Sequence, residues 1–128
     1  MAQRWAPKGD SSTQKLTGEV SLNNLSGLEG YCAMKSGAGW IIASSTDRAA
    51  VIMNGGNGSA AQITLCVGGK GQIRMGGTCS AGDALIAEGS GAGLASVADN
   101  GSIVGYAAQT CSASGQIIDY RATYGDRY

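Results

Sequence analysis

The sequence predicts an all-β protein, a small antiparallel β-sandwich or barrel-like domain with an extended N-terminal arm, and three observations lead there. Glycine occurs 22 times and proline once in 128 residues, so the chain is rich in residues that take the positive φ of tight turns and weaken helix interiors. Short apolar runs recur between these glycines at the spacing of strands. Charged residues make up only 14%, which leaves little of the solvated surface that bundled helices present. The length suits one domain with one core.

Residues 1–17 are polar and aperiodic, with Ser11-Ser12-Thr13-Gln14-Lys15 at their centre, and read as the extended arm. Arg4 and Trp5 form a pair suited to anchoring it on a partner surface or back on its own domain. Residues 18–122 form the β domain. Within it Tyr31-Cys32-Ala33-Met34 and Trp40-Ile41-Ile42-Ala43 flank Lys35-Ser36-Gly37-Ala38-Gly39 as a hairpin. Ala50-Val51-Ile52-Met53 follows, then Gln62-Ile63-Thr64-Leu65-Cys66-Val67, in which Ile63, Leu65 and Val67 share one face and Thr64 and Cys66 the other. A glycine break, Gly68-Gly69-Lys70-Gly71, separates that strand from Gln72-Ile73-Arg74-Met75. The runs Ala84-Leu85-Ile86-Ala87, Leu94-Ala95-Ser96-Val97 and Ile103-Val104-Gly105-Tyr106-Ala107-Ala108 add strands, the last two joined at Asp99-Asn100-Gly101.

A weak internal echo places Thr78-Cys79-Ser80-Ala81-Gly82 before one apolar run and Thr110-Cys111-Ser112-Ala113-Ser114-Gly115 before Ile117-Ile118. Two copies do not make a solenoid, so each reads as a turn feeding a strand. Residues 123–128 form the C-terminal tail. The segment from Asp119 to the end holds three of the five tyrosines, and tyrosine and arginine are enriched in interfaces. Tyr120, Tyr124, Arg127 and Tyr128 are therefore partner-contact candidates, unless the segment is simply a last strand with a frayed end.

Composition narrows the function classes. The chain has no histidine, which removes Ser-His-Asp, Cys-His and His-zinc chemistry. Cys32, Cys66, Cys79 and Cys111 make no Cys-x-x-Cys pair, so neither a metal nor another cofactor is expected; their even count allows two disulfides, but in a chain without a signal they read as buried or half-buried free thiols that behave as small hydrophobes. Nine basic residues balance nine acidic ones, and the lysines and arginines are scattered singly, without the stripe that tracks a nucleic acid. No apolar run reaches the roughly 18 residues of a membrane span, and the first residues lack the apolar stretch of a secretory signal. The expectation is a soluble protein assembled in a cytosol, with no nucleic-acid or membrane partner. Gly89-Ser90-Gly91-Ala92-Gly93 is followed by no helix pattern and no Gly-Lys-Ser/Thr, so it reads as a turn rather than a phosphate cradle. Asp83 and Glu88 fall on opposite sides of a strand and read as solvated turn residues rather than an acid–base pair.

Four elements of the second half come in a particular order: Gly71-Gln72-Ile73-Arg74-Met75, then Ser80-Ala81-Gly82-Asp83-Ala84-Leu85-Ile86, then Gly101-Ser102-Ile103-Val104-Gly105-Tyr106-Ala107-Ala108, then Ser114-Gly115-Gln116-Ile117-Ile118-Asp119-Tyr120-Arg121. In this order residues 71–122 resemble the tailed-bacteriophage capsid decoration (cement) proteins. In that family a strand leads to an Ala-Gly-Asp turn and an apolar strand, followed by a glycine-rich stretch, an Ile-Gly-x-Ala strand and a glycine-led terminal strand. The resemblance does not extend to residues 18–40. It implies a non-enzymatic structural virion protein, assembled in the host cytoplasm, that sits on the outer capsid surface. Its partners would be the major capsid protein and itself, commonly as a homotrimer at symmetry axes, and it would stabilise the shell by bridging capsid subunits through many modest contacts. The alternative is a β-sandwich carbohydrate-binding or host-attachment module, in which Trp40, Trp5 and the terminal tyrosines stack on a sugar.

Overall fold

A computed structural model describes residues 13–46, 48–88, 91–98 and 101–127, with side chains described as far as Tyr124. Among these residues there are nine strands and no helix: β1 (Gln14–Val20), β2 (Cys32–Ser36), β3 (Gly39–Ile42), β4 (Ala50–Asn54), β5 (Gln62–Arg74), β6 (Ala84–Ala87), β7 (Ala95–Val97), β8 (Ser102–Ala107) and β9 (Ile117–Arg127). They form one sheet in the order β3-β2-β4-β5-β9-β8-β6-β7, with β1 added on β5. Every strand pair is antiparallel, as the sequence predicts, and the sheet curls into a barrel-like half. Hydrogen bonds fix the curl. Met75, just past β5, bridges Ala95 of β7, the Gly76 N–H donates to the Ala95 carbonyl at 2.7 Å, and the Cys32 N–H donates to the Gly93 carbonyl at 2.7 Å. The far edge of the sheet thus returns to the strands near its middle.

The longest strand, β5, replaces the expected break at Gly68–Gly71 with a continuous run of 13 residues. Glycine is here for lack of a side chain rather than to turn the chain. A Cβ on Gly71 would stand 2.9 Å from the Cys66 sulfur and 2.9 Å from the Tyr120 ring, and one on Gly68 would meet the Gln14 side chain. Only Gly69 uses the positive half of φ, at 72°, and there the strand changes which residues face which side. Before it Ile63 and Leu65 join one buried cluster with Leu25, Ala33, Trp40, Ala50 and Ile52. Beyond it Ile73 joins the other, around Val51, Met53, Met75, Leu85, Val104, Ile118 and Tyr120. One strand therefore serves two cores, and each of its fully buried branched side chains contributes roughly 1.5–3 kcal/mol.

Both ends of the domain differ from the expected boundaries. Strand β1 begins at Gln14, inside the segment read as arm, and pairs with β5 from Gln14↔Gly68 to Val20↔Gln62. Its polarity hid it. A register shift between Leu16 and Glu19, with Gly18 at φ 79°, breaks the two-residue alternation and leaves Leu16 alone to reach the cluster around Leu25 and Trp40. Residues 123–127 are likewise not a separate tail, because β9 carries through them and pairs Asp126 with Ile103 and Arg127 with Ser102. The turn residues Asp99 and Asn100, and Gly89 and Ser90, lie outside the described residues.

The internal echo has a structural counterpart. Cys79 and Cys111 face each other in an isolated antiparallel bridge and exchange both backbone bonds, at 3.0 and 2.9 Å. Each copy then docks on the segment leading to the other: the Gly82 N–H donates to the Ala107 carbonyl at 2.7 Å, and the Gly115 N–H to the Met75 carbonyl at 2.6 Å. The two turns are thus joined about an approximate two-fold axis.

All four cysteines are buried free thiols. Burial, with the Glu88 charge adding, pushes the Cys32 thiol from its ordinary 9.0 up to about 12. The unfolded chain loses this proton from about pH 9 upward, whereas the folded chain keeps it until about pH 12, so the folded state binds more protons across that window. Stability is therefore expected to fall as pH rises through it, and the Tyr120 phenol, pushed up by its own burial, acts in the same direction. Urea midpoints measured from about pH 8 to about pH 11 should decline steadily above about pH 9; a flat profile would show that the Cys32 thiol ionises as freely folded as unfolded.

Candidate partner-binding site

The β2–β3 hairpin, β1 and β9 bring a small set of chemically active side chains to one end of the sheet. In the hairpin register Lys35 lies opposite Trp40. Trp40 is only 1% exposed, and its indole Nε1–H donates to Glu19 Oε1 of β1 at 2.6 Å. The same carboxylate oxygen lies 3.7 Å from Lys35 Nζ. With Lys35 half-exposed, that ion pair adds at most about 1 kcal/mol to stability. Its consequence is positional, because Glu19 holds the indole from one side and the ammonium from another.

Tyr124 of β9 packs against this group, its ring centroid 6.3 Å from that of Trp40 with the planes at 47°. The Arg48 guanidinium lies over the Tyr124 ring at 5.1 Å. Between them opens a cleft of about 380 Å³ lined by Met34, Lys35, Arg48 and Tyr124. The Met34 sulfur is held in place by Ser44, whose N–H approaches it at 3.4 Å. The mouth therefore carries two cationic side chains, Lys35 paired with Glu19 and Arg48 stacked on Tyr124, beside an aromatic face and a thioether. That lining suits a carboxylate carried on a partly apolar side chain or segment. Among the described residues lining it there is no acid–base pair or nucleophile–base pair.

The structure sorts the residues nominated from sequence. Trp40 and Tyr124 come together here, Tyr124 as a wall of the cleft and Trp40 as its buried support. Tyr120 does not belong to a contact surface: it is fully buried between glycines, with a Cβ on Gly71 or Gly105 colliding with its ring. Arg127 is the last residue of β9, and its side chain, like Arg4, Trp5 and Tyr128 entirely, lies outside the described residues. Of the described aromatic side chains, Trp40 and Tyr120 are buried, and Tyr31, Tyr106 and Tyr124 are partly buried. Sequence reasoning did not nominate Lys35, Arg48, Met34 or Glu19. Lys35 was accessible to it, since a hairpin centred on Gly37 and Ala38 places residues 35 and 40 opposite each other. Arg48 carries no local signal, because only the fold brings it to β9.

No model of a known protein family matches the chain, and no curated protein matches it.

Proposed function

We propose that this chain is a structural virion protein that binds the outer surface of a phage capsid and stabilises the shell by bridging capsid subunits. One observation carries the reading. The four sequence elements that resemble the decoration proteins fall on the end of β5, on β6, on β8 and on β9, and these strands are hydrogen-bonded neighbours in the order β5-β9-β8-β6. The resemblance thus follows one continuous patch of sheet rather than scattered glycine-rich turns. The partners in this reading are the major capsid protein and further copies of the chain, as a homotrimer. The cleft of Lys35, Arg48 and Tyr124 is the contact point for an acidic segment of the capsid lattice, where a modest affinity repeated over many equivalent sites gives firm attachment.

Quantitative mass spectrometry of purified particles from the source lysate tests the reading. A copy number within a few-fold of the major shell protein is expected; absence, or a handful of copies, would reject it. A Lys35→Glu/Arg48→Glu chain tests the cleft. It should stay folded, losing about 1–2 kcal/mol with the Lys35–Glu19 pair and the Arg48 contact on Tyr124, while its binding to particles lacking the protein falls at least roughly tenfold, as loss of about 1.4 kcal/mol per site implies. Undiminished binding would place the contact elsewhere on the domain.

A further inference from the structure

We infer that Cys79 and Cys111 are a disulfide-forming pair, a covalent modification site that clasps the two echoed turns together under oxidising conditions. The geometry is that of directly opposed residues in an antiparallel bridge. Residues that exchange both backbone bonds have Cα atoms about 5.5 Å apart, within the roughly 4.4–6.8 Å that disulfides span. Their side chains leave the same face of the pair, and the Cβ atoms need to close by about 1 Å to reach bonding distance.

The surroundings allow that closure. The bridge is isolated rather than part of a ladder, and each cysteine is followed by a turn ending in a positive-φ glycine, Gly82 at 94° and Gly115 at 87°. Each thiol now donates to a nearby carbonyl, Cys79 Sγ to Gln109 O at 3.8 Å and Cys111 Sγ to Ala113 O at 3.1 Å. These are weak bonds that a rotation about each Cα–Cβ releases. Cys79 lies at the rim of the core, 7% exposed, and Cys111 behind it at 1%. A reagent from solution therefore meets Cys79 first.

The chemistry balances as two exchanges with a low-molecular-weight disulfide such as oxidised glutathione. The Cys79 thiolate, its proton passed to water, attacks one sulfur of that disulfide, forms a mixed disulfide and expels one small thiolate. The Cys111 thiolate then attacks Cys79 Sγ, forms the internal bond and expels the second. The protein loses two protons and two electrons, and the small disulfide takes both up to become two thiols. Cys32 and Cys66 do not take part: Cys32 is fully buried, and Cys66 bonds to the Gly68 carbonyl in the interior.

The experiment treats the purified full chain with oxidised glutathione, blocks residual thiols by alkylation and maps the peptides by mass. The expected product joins the Cys79 and Cys111 peptides, leaves Cys32 and Cys66 as thiols that alkylate only after unfolding, and melts roughly 5–15 °C higher than the reduced chain. Addition of a dithiol reductant should reverse that shift. A Cys111→Ser chain should stop at the mixed disulfide on Cys79, and a Cys32→Ser/Cys66→Ser chain should still form the cross-link. Because the wild-type mapping is itself decisive, failure of a variant to fold leaves the test intact. Two thiols that remain alkylatable, a glutathione adduct that never resolves in the wild-type chain, or a cross-link through Cys32 or Cys66 would each overturn the assignment.

Discussion

Replacing Tyr120 with alanine is expected to cost about 3–5 kcal/mol of stability, a large share of what a domain of this size possesses. The ring is fully buried in the cluster around Val51, Met75 and Ile118, and the sheet is built to admit it. Gly71 lies directly across from it on β5, and Gly105 of β8 presents backbone to its other side, where a Cβ would come within 2.5 Å of the ring. Neither glycine can fill the hole that truncation leaves, because neither has a side chain to move. The hydroxyl contributes less. It is buried without a hydrogen-bond partner, so Tyr120→Phe should cost under about 1 kcal/mol. Urea denaturation of both variants at unchanged m separates the two contributions. A Tyr120→Ala chain within about 1 kcal/mol of the parent would show that the neighbouring strands collapse onto the void.

The second large effect is expected at Trp40. Trp40→Ala removes the largest fully buried side chain among the described residues, again at about 3–5 kcal/mol, and it also takes away the donor that holds Glu19 and the ring against which Tyr124 rests. Two readouts should therefore move together, the denaturation midpoint and binding through the cleft. Trp40→Phe keeps most of the packing and loses the 2.6 Å hydrogen bond, for an expected cost of about 1–1.5 kcal/mol. A Trp40→Phe chain as unstable as Trp40→Ala would mean that the Glu19 bond, rather than the indole volume, holds this end of the sheet. Since Trp40 supports the cleft without lining it, the Phe variant should also bind more nearly like the parent than the Ala variant does.

The legible parts of the fold share a physical basis. Strand β6 was read from its apolar run with both ends correct, and β2, β3, β4 and β8 to within about two residues, because each is a short run bounded by turn residues and flanked by one core. Strand β5 was read as two runs, Gln62–Val67, where Ile63, Leu65 and Val67 alternate cleanly, and Gln72–Met75. Its continuity between them was hidden by glycines whose reason for being there includes Gln14 and Tyr120 on other strands, which is information that no local window holds. Strand β1 was missed for a related cause, since a bulge at Gly18 removes the period by which strands are recognised. At the candidate site the aromatic residues were nominated by type, but type does not give depth: Trp40 and Tyr120 are interior, and Tyr124 alone lines the cleft. Arg48 is placed there by tertiary structure.

The sharing of β5 between the two cores determines how the molecule carries load. Its first half is hydrogen-bonded to β1 and β4, its second half to β9, and no linker divides them. A pull that tends to separate one half of the domain from the other runs along this strand and is resisted by many interstrand bonds strained in parallel, not by a hinge that opens one bond at a time. The two halves are consequently one mechanical element, through which tension applied at the Tyr124 end passes along β9 to the turns joined at Cys79 and Cys111.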